Sequence, residues 1–165
     1  MAVNPSLVFP IDAAAMRWRP LRESDVPSVA ALEREAHPAP WTPGNFSDAL
    51  AAGYGMLVGE ALGSIVAYGV LLLAPGEAQL LNLTVAPHAR RQGIGRALLR
   101  RFLGDAQQRG AAQCFLEVRE SNTPAIALYE AEGFVPVARR IAYYPPAASG
   151  EREDALVMRR ALVAN

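Results

Sequence analysis

The sequence predicts a three-layer α/β sandwich, a central mixed β-sheet of about seven strands flanked by about four helices. Three observations predict it. Short apolar runs alternate with segments of helical periodicity in the order β-α-α-β-β-β-α-β-α-β-β. A strand, a glycine loop and a helix follow one another without a break between Leu80 and Leu99. A chain of 165 residues, 52% hydrophobic and 19% charged, also suits one folded domain with a substantial core.

Each element has its own signal. The first fifteen residues lack a basic start and a convincing apolar core, so they make a poor signal peptide and are expected to form a disordered tail. The domain is expected over residues 16–162. Met16 to Leu21 reads as a first strand. Ser24 and Asp25 cap a helix to about Ala36, with Val26, Val29, Ala30 and Leu32 towards the core. The prolines of His37-Pro38-Ala39-Pro40-Trp41 lack N–H groups and stop it. Thr42 followed by Pro43 starts a second helix, to about Ala51. Tyr54–Glu60 and Ser64–Leu73 are strands joined by a tight turn at Ala61 to Gly63. After the Leu80–Val85 strand, Ile94, Leu98 and Phe102 mark a helix to about Gln108. Gly110 breaks it, and Gln113–Val118 is the next strand. Asn122 or Thr123 caps a helix carrying Pro124, Ile126, Leu128 and Tyr129, which Gly133 ends. Val135–Tyr144 and Ala155–Leu162 are the last strands, joined by a polar loop through Pro145, Pro146 and Gly150.

Composition excludes several classes of function. Net charge is zero and the pI is near 6.7, so nothing global points to nucleic acid. Basic character is local, between Arg90 and Arg101. No apolar run approaches the ~20 residues of a membrane span. A single cysteine, Cys114, excludes an internal disulfide and suits a reducing cytoplasm, and its apolar strand pattern marks it as a small core residue. His37, His88 and Cys114 have no ligand spacing, so no metal is expected.

The chemistry sits at the glycine loop. Gly93 and Gly95 let the backbone come close to a ligand, and the helix start offers unpaired N–H groups and a favourable dipole. Arg90, Arg91 and Arg96 add positive charge. The natural guest is a phosphate or pyrophosphate. A nucleotide-hydrolase P-loop needs a lysine, and the sequence has none. A dinucleotide fingerprint needs a third glycine where Leu98 stands. What remains is Arg90-x-x-Gly93-x-Gly95, which resembles the acetyl-coenzyme A loop of the GNAT superfamily of N-acetyltransferases. An ordinary strand-to-helix turn with surface arginines is the alternative.

Further segments sharpen the resemblance. Leu116-Glu117-Val118-Arg119-Glu120-Ser121-Asn122, Ala127-Leu128-Tyr129-Glu130 and Gly133-Phe134 look like the bacterial ribosomal-protein-alanine N-acetyltransferases. So do Glu33 through His37 to Pro40-Trp41, Tyr143-Tyr144-Pro145 and Arg152-Glu153-Asp154-Ala155. The resemblance implies transfer of an acetyl group from acetyl-coenzyme A to the α-amine at a protein N-terminus, the alanine of a small-subunit ribosomal protein. In the family's pattern Glu117 is the base, its pKa raised by partial burial, and Tyr129 is the general acid. The structural alternatives are a strand-end carboxylate paired with Arg119 or solvent for Glu117, and an aromatic packing on the sheet for Tyr129.

The same resemblance implies that Leu83-Thr84-Val85 bulges and pairs with the pantetheine arm. Arg90, Arg91, Gln92, Gly93, Ile94, Gly95 and Arg96 would carry the pyrophosphate, mainly through backbone N–H groups. Asn122 is either a coenzyme contact or a helix cap. Trp41, Tyr143 and Tyr144 would border the acceptor peptide, with Trp41 as a core anchor the alternative. Two departures, Pro38-Ala39 and the lengthened loop after Pro146, touch acceptor choice. Other readings are a GNAT enzyme for a small amine or lysine side chain, a non-catalytic acyl-coenzyme A-binding module, and a structural subunit.

Overall fold

The computed structural model describes residues 10–146 and 150–162. Its elements are β1 (Arg17–Pro20), α1 (Val26–Ala36), α2 (Pro43–Ala51), β2 (Gly55–Ala61), β3 (Ser64–Ala74), β4 (Glu77–Val85), α3 (Ile94–Gln108), β5 (Gln113–Arg119), α4 (Thr123–Ala131), β6 (Val135–Tyr144) and β7 (Glu153–Ala161). They form one seven-stranded mixed sheet in the order β1-β2-β3-β4-β5-β7-β6. Every neighbouring pair is antiparallel except β4 and β5, which run parallel because α3 carries the chain across between them.

The sheet has a core on each face. Val26, Val29, Ala30, Phe46 and Ala49 of α1 and α2 close over Met56, Val58, Tyr68 and Val70. Ile94, Leu98, Leu99 and Phe102 of α3, with Tyr129 of α4, close the other face over Ala78, Leu80, Leu116 and Met158. Gly69 permits that closeness. A Cβ there would stand 2.5 Å from a ring carbon of Phe102 and 2.9 Å from the Asn82 carbonyl.

A bulge in β4 shapes the centre of the molecule. Val70 lies opposite Asn82 and Leu71 opposite Leu80, so Leu81 is an extra residue. One extra residue exchanges the faces of everything after it. Ala78 and Leu80 face α3 before the bulge, and Leu83 and Val85 do so after it. Asn82 and Thr84 therefore turn towards α1. The bulge lies at Leu81, two residues before the Leu83–Val85 stretch where it was expected, because the face switch has to precede Asn82. Pairing of β4 with β5 ends at Leu80 and Leu116, and the two strands part from there.

Other details differ from expectation. β4 starts at Glu77 and β7 at Glu153, since polar residues can begin a ladder that apolar patterning does not reveal. Leu32 is only partly buried, whereas Glu33 takes the core position at 2% exposure. Residues 10–15, placed in the tail by the sequence, lie against the domain. Ala13–Ala15 form a 3-10 turn capped by Asp12, and the Ile11 N–H donates to Gln92 Oε1 at 2.6 Å. Residues 1–9 lie outside the described part, as do 147–149 of the lengthened loop. Cys114 is buried, and burial pushes its thiol up to about 11, in keeping with a core residue.

Candidate active site

Where β4 and β5 separate, they leave a cavity of about 350 Å³. Its walls come from five parts of the chain. Leu81, Asn82 and Leu83 line it from β4, Glu117 and Arg119 from β5, and Asn122 and Tyr129 from the α4 region. His37 and Trp41 close one side and Tyr144 and Pro145 the other. Six residues singled out in the sequence thus meet: Trp41, Leu83, Glu117, Asn122, Tyr129 and Tyr144. Tyr143 does not line the cavity and is 43% exposed. Trp41 lines the cavity, and its ring also packs on Phe46 with centroids 5.2 Å apart.

Glu117 stands on the open part of β5, its side chain 16% exposed. The expected alternative partner, Arg119, is taken by Glu153 at 3.2 Å. Arg140 of β6 pairs with Glu117 instead, Nε to Oε1 at 2.8 Å, because β7 intervenes and brings the edge strand alongside. The nearby Glu117 carboxylate raises the Tyr143 phenol above its usual value. Arg119 stacks over the Tyr144 ring at 4.5 Å. Burial first, then the Glu117 charge, pushes Tyr144 up to about 12.

Tyr129 is held by α4 with its ring edge against Phe134, centroids 5.8 Å apart. Among the described residues nothing bonds its hydroxyl, and burial raises its pKa well beyond the ordinary tyrosine value. It is therefore a protonated phenol at any working pH, facing the cavity with its proton uncommitted. Asn122 caps α4, its Oδ1 accepting from the Ala125 N–H at 3.3 Å, while also lining the cavity.

The glycine loop lies beyond the cavity, at the start of α3. Arg91 at φ +62° and Gly93 at φ +78° turn the chain through left-handed conformations into the helix. A Cβ on Gly93 would meet nothing within 4 Å, so the approach to the helix N-terminus is open. Along β4, Leu83–Val85 pair with β3 on one edge and, among the described residues, have no strand on the other. An open helix start next to a free strand edge fits the pyrophosphate and the amide-bearing arm of acetyl-coenzyme A. Several side chains around the loop are engaged within the protein. Arg90 donates to the Val85 carbonyl at 3.2 Å, Arg96 and Arg100 clamp Glu132 at 3.1 and 2.9 Å, and Gln92 holds Ile11. Those residues build the loop, and backbone N–H groups of residues 92–96 are what it can offer an anion.

One part of the site was missed from sequence. Glu33 is buried and accepts from Tyr68 Oη at 2.5 Å, Asn82 Nδ2 at 3.1 Å and the Trp41 N–H at 3.2 Å. Thr84 donates to Asn82 Oδ1 at 2.7 Å, and His37 Nε2 meets Thr84 Oγ1 at 2.7 Å. Thr84, whose backbone was expected along the coenzyme arm, has its side chain in this network, on the face to which the bulge turned it. The signal was present: Glu33 continues the apolar stripe Val26, Val29, Ala30. Among the described residues no cluster of His, Cys, Asp and Glu could hold a metal ion, and no helix is long and apolar enough to cross a membrane.

The family model described as "Acetyltransferase (GNAT) family" matches residues 26–134. The [ribosomal protein bS18]-alanine N-acetyltransferase of Escherichia coli is 38% identical over 138 residues, 84% of this chain and 92% of that one. A putative enzyme of the same name from Bacillus subtilis is 33% identical over 144 residues, 85% of this chain and 91% of its own. The crystal structure of the Escherichia coli enzyme superposes with a TM-score of 0.84, covering 91% of this chain and 96% of that chain at 35% identity. Ard1 from Thermoplasma volcanium superposes at 0.80 and 27% identity, covering 91% and 99%. With an open helix start, a split between two parallel strands and these relatives, the chain belongs to the GNAT family and is an acetyl-coenzyme A-dependent N-acetyltransferase.

Proposed function

We propose that this enzyme acetylates the α-amine of a protein N-terminus, an alanine of a small-subunit ribosomal protein, with Glu117 as base and Tyr129 as acid. A ribosomal acceptor puts the reaction in the cytoplasm. One observation carries the reading: Glu117 and Tyr129 line a single cavity whose outer walls are Trp41 and Tyr144. The relatives named as alanine N-acetyltransferases support the choice of acceptor.

When bound, acetyl-coenzyme A supplies an acetyl thioester, the electrophile. Leu83–Val85 and the α3 start hold it. Glu117 receives the proton from the amine nitrogen as the new amide forms. Its ion pair with Arg140 does not prevent this, because Arg140 is 56% exposed and such pairs are worth about 1 kcal/mol or less. Tyr129 gives its hydroxyl proton to the departing thiolate. Its elevated pKa keeps it protonated, so its hydroxyl hydrogen-bonds the sulfur and shares its proton as the C–S bond breaks.

Proton energetics favour an α-amine. Attack needs the neutral form, and an α-amine has a pKa near ~7.8 against ~10.4 for lysine. At neutral pH the neutral lysine is scarcer by a few hundred-fold, about 3.5 kcal/mol. A slot between Trp41 and Tyr144 also suits a narrow chain end with a small first residue. The test is a library of N-terminal peptides read by mass spectrometry. It includes an Ala-starting peptide, a Leu-starting version, and the Ala peptide with its α-amine blocked and an internal lysine. Fastest acetylation of the Ala-starting peptide is expected. Faster acetylation of the blocked lysine peptide refutes the α-amine, and equal rates for Ala and Leu refute the alanine preference.

A further inference from the structure

Two protons leave the nitrogen when an ammonium becomes an amide. One must go before attack, to free the lone pair, and one after it. Glu117 accounts for one of them. The opposite wall of the cavity holds a second candidate acceptor, and the argument for it rests on the α-amine reading above.

Glu33 is 2% exposed and has no arginine within ion-pair distance among the described residues. Its three hydrogen-bond donors, from Tyr68, Asn82 and Trp41, are all neutral. Its one ionisable neighbour of opposite sign is His37, with Nε2 3.7 Å away. A buried carboxylate without a counter-ion is costly, so a site built this way favours a positive charge arriving beside it.

The hydrogen-bond chain gives His37 a definite tautomer. Asn82 Nδ2 donates to Glu33, which leaves Asn82 Oδ1 to accept the only proton Thr84 carries. The 2.7 Å contact of Thr84 Oγ1 with His37 Nε2 then requires the imidazole to hold its hydrogen on Nε2. Nδ1 is left as a lone-pair acceptor. The ring lines the cavity with its side chain 34% exposed. Among the described residues no group bonds Nδ1.

We propose that His37, backed by Glu33, takes the first proton from the acceptor's α-ammonium, so that the site uses His37 before attack and Glu117 after it. The ammonium N–H bond breaks and its electron pair stays on nitrogen as the nucleophile. The new N–H bond forms at His37 Nδ1, and Glu33 faces the imidazolium charge. The exposed part of the ring returns the proton to solvent. The groups around His37 are consistent with a base that starts neutral. Burial holds its pKa below the usual value, Arg90 and Arg119 press the same way, and Glu33 opposes them. Glu117 and the phenols of Tyr129 and Tyr144 share the cavity, and Tyr68 lies behind Glu33.

The test is His37→Gln, whose amide still donates to Thr84 but takes no proton. It is assayed on an Ala-starting peptide from about pH 6.5 to about pH 9, across the α-amine's own titration near ~7.8. A deficit in kcat/KM of about 10²-fold is expected at the acid end. It should shrink to a few-fold at the alkaline end, where the peptide arrives neutral. Melting temperature and acetyl-coenzyme A affinity, both measured alongside, should match the parent. His37→Ala should regain activity when free imidazole is added, which keeps the idea testable if the glutamine variant folds poorly. A deficit constant across pH, no deficit, or no imidazole rescue overturns the role of His37 while leaving the α-amine reading intact. A parent enzyme that leaves the Ala peptide unmodified at every pH overturns both.

Discussion

Tyr129→Phe separates chemistry from stability. The ring is 8% exposed and packs on Phe134, and phenylalanine preserves every one of those carbon contacts. The hydroxyl has no partner among the described residues, so its removal breaks no hydrogen bond, an interaction ordinarily worth ~0.5–1.5 kcal/mol. For a chain of this size 1 kcal/mol moves the melting temperature by ~2–4 °C. A shift of no more than about 2 °C is therefore expected, and an upward one is as reasonable as a downward one. The chemical cost is of another order. A lost general acid slows turnover by ~10²–10⁴-fold, or roughly 2.7–5.4 kcal/mol on the barrier. Thiol release at saturating peptide and acetyl-coenzyme A measures kcat, and scanning fluorimetry measures melting. The pH profile adds a check. Burial raises the Tyr129 pKa, so its protonated form persists above ~10, and the parent's activity should not fall through loss of this proton below that. Near-parental kcat at saturation in a folded Y129F protein refutes the assignment and leaves Tyr129 as a packing residue.

Three further substitutions test other parts of the account. Glu117→Gln should lower kcat at least ~10-fold with little change in coenzyme affinity, and full turnover at saturation counts against Glu117 as a base. Gly95→Val probes the loop: its Cβ would stand 3.5 Å from Leu128 and 3.6 Å from Val85, so the Cβ fits and the added methyls crowd the helix start. Calorimetry should show acetyl-coenzyme A affinity reduced by about tenfold with the fold retained, and an unchanged affinity removes the pyrophosphate from this loop. Asp25→Asn tests an acid-sensitive clamp, in which Asp25 accepts from Arg19 at 2.7 and 2.8 Å and from the Arg22 N–H at 2.8 Å. The Arg19 bonds hold its pKa below the usual ~3.9, so its contribution is complete above that pH and fades as pH drops through the lowered value. The variant should melt lower at neutral pH and lose less on acidification, and an identical pH slope in the two proteins contradicts this.

Local signals made the fold readable. Thr42 caps α2 and Asn122 caps α4 through the side-chain bonds their residue types favour. Gly63 and Gly133 take the positive φ that a hairpin and a helix end require. Strand order was harder, because β7 inserts between β5 and β6 and nothing in the apolar pattern of three strands says which lies in the middle. Arg140 as partner of Glu117 follows only from that order. The two residues are 23 apart in sequence and meet across an intervening strand, so no spacing rule announces them.

The α1 side of the cavity was hidden for a different reason, and the bulge explains it. Leu80-Leu81-Asn82-Leu83-Thr84-Val85 reads as one apolar strand with two polar residues, which an unbroken strand would place on the same face as Leu80 and Ala78, against α3. There, Asn82 and Thr84 would be unpaired polar groups in a hydrocarbon core, a cost of ~1–3 kcal/mol each. A single extra residue at Leu81 resolves the conflict by turning both to α1, where Glu33 waits in an apolar stripe with the same problem. Two local violations of pattern, a carboxylate on a buried helix face and an amide in a buried strand, answer each other. The same kink ends pairing with β5 and opens the space in which Glu117 and Tyr129 meet. Thus the residues that most offend the hydrophobic pattern are those that line the site, and the bulge that satisfies them is also what makes room for a substrate.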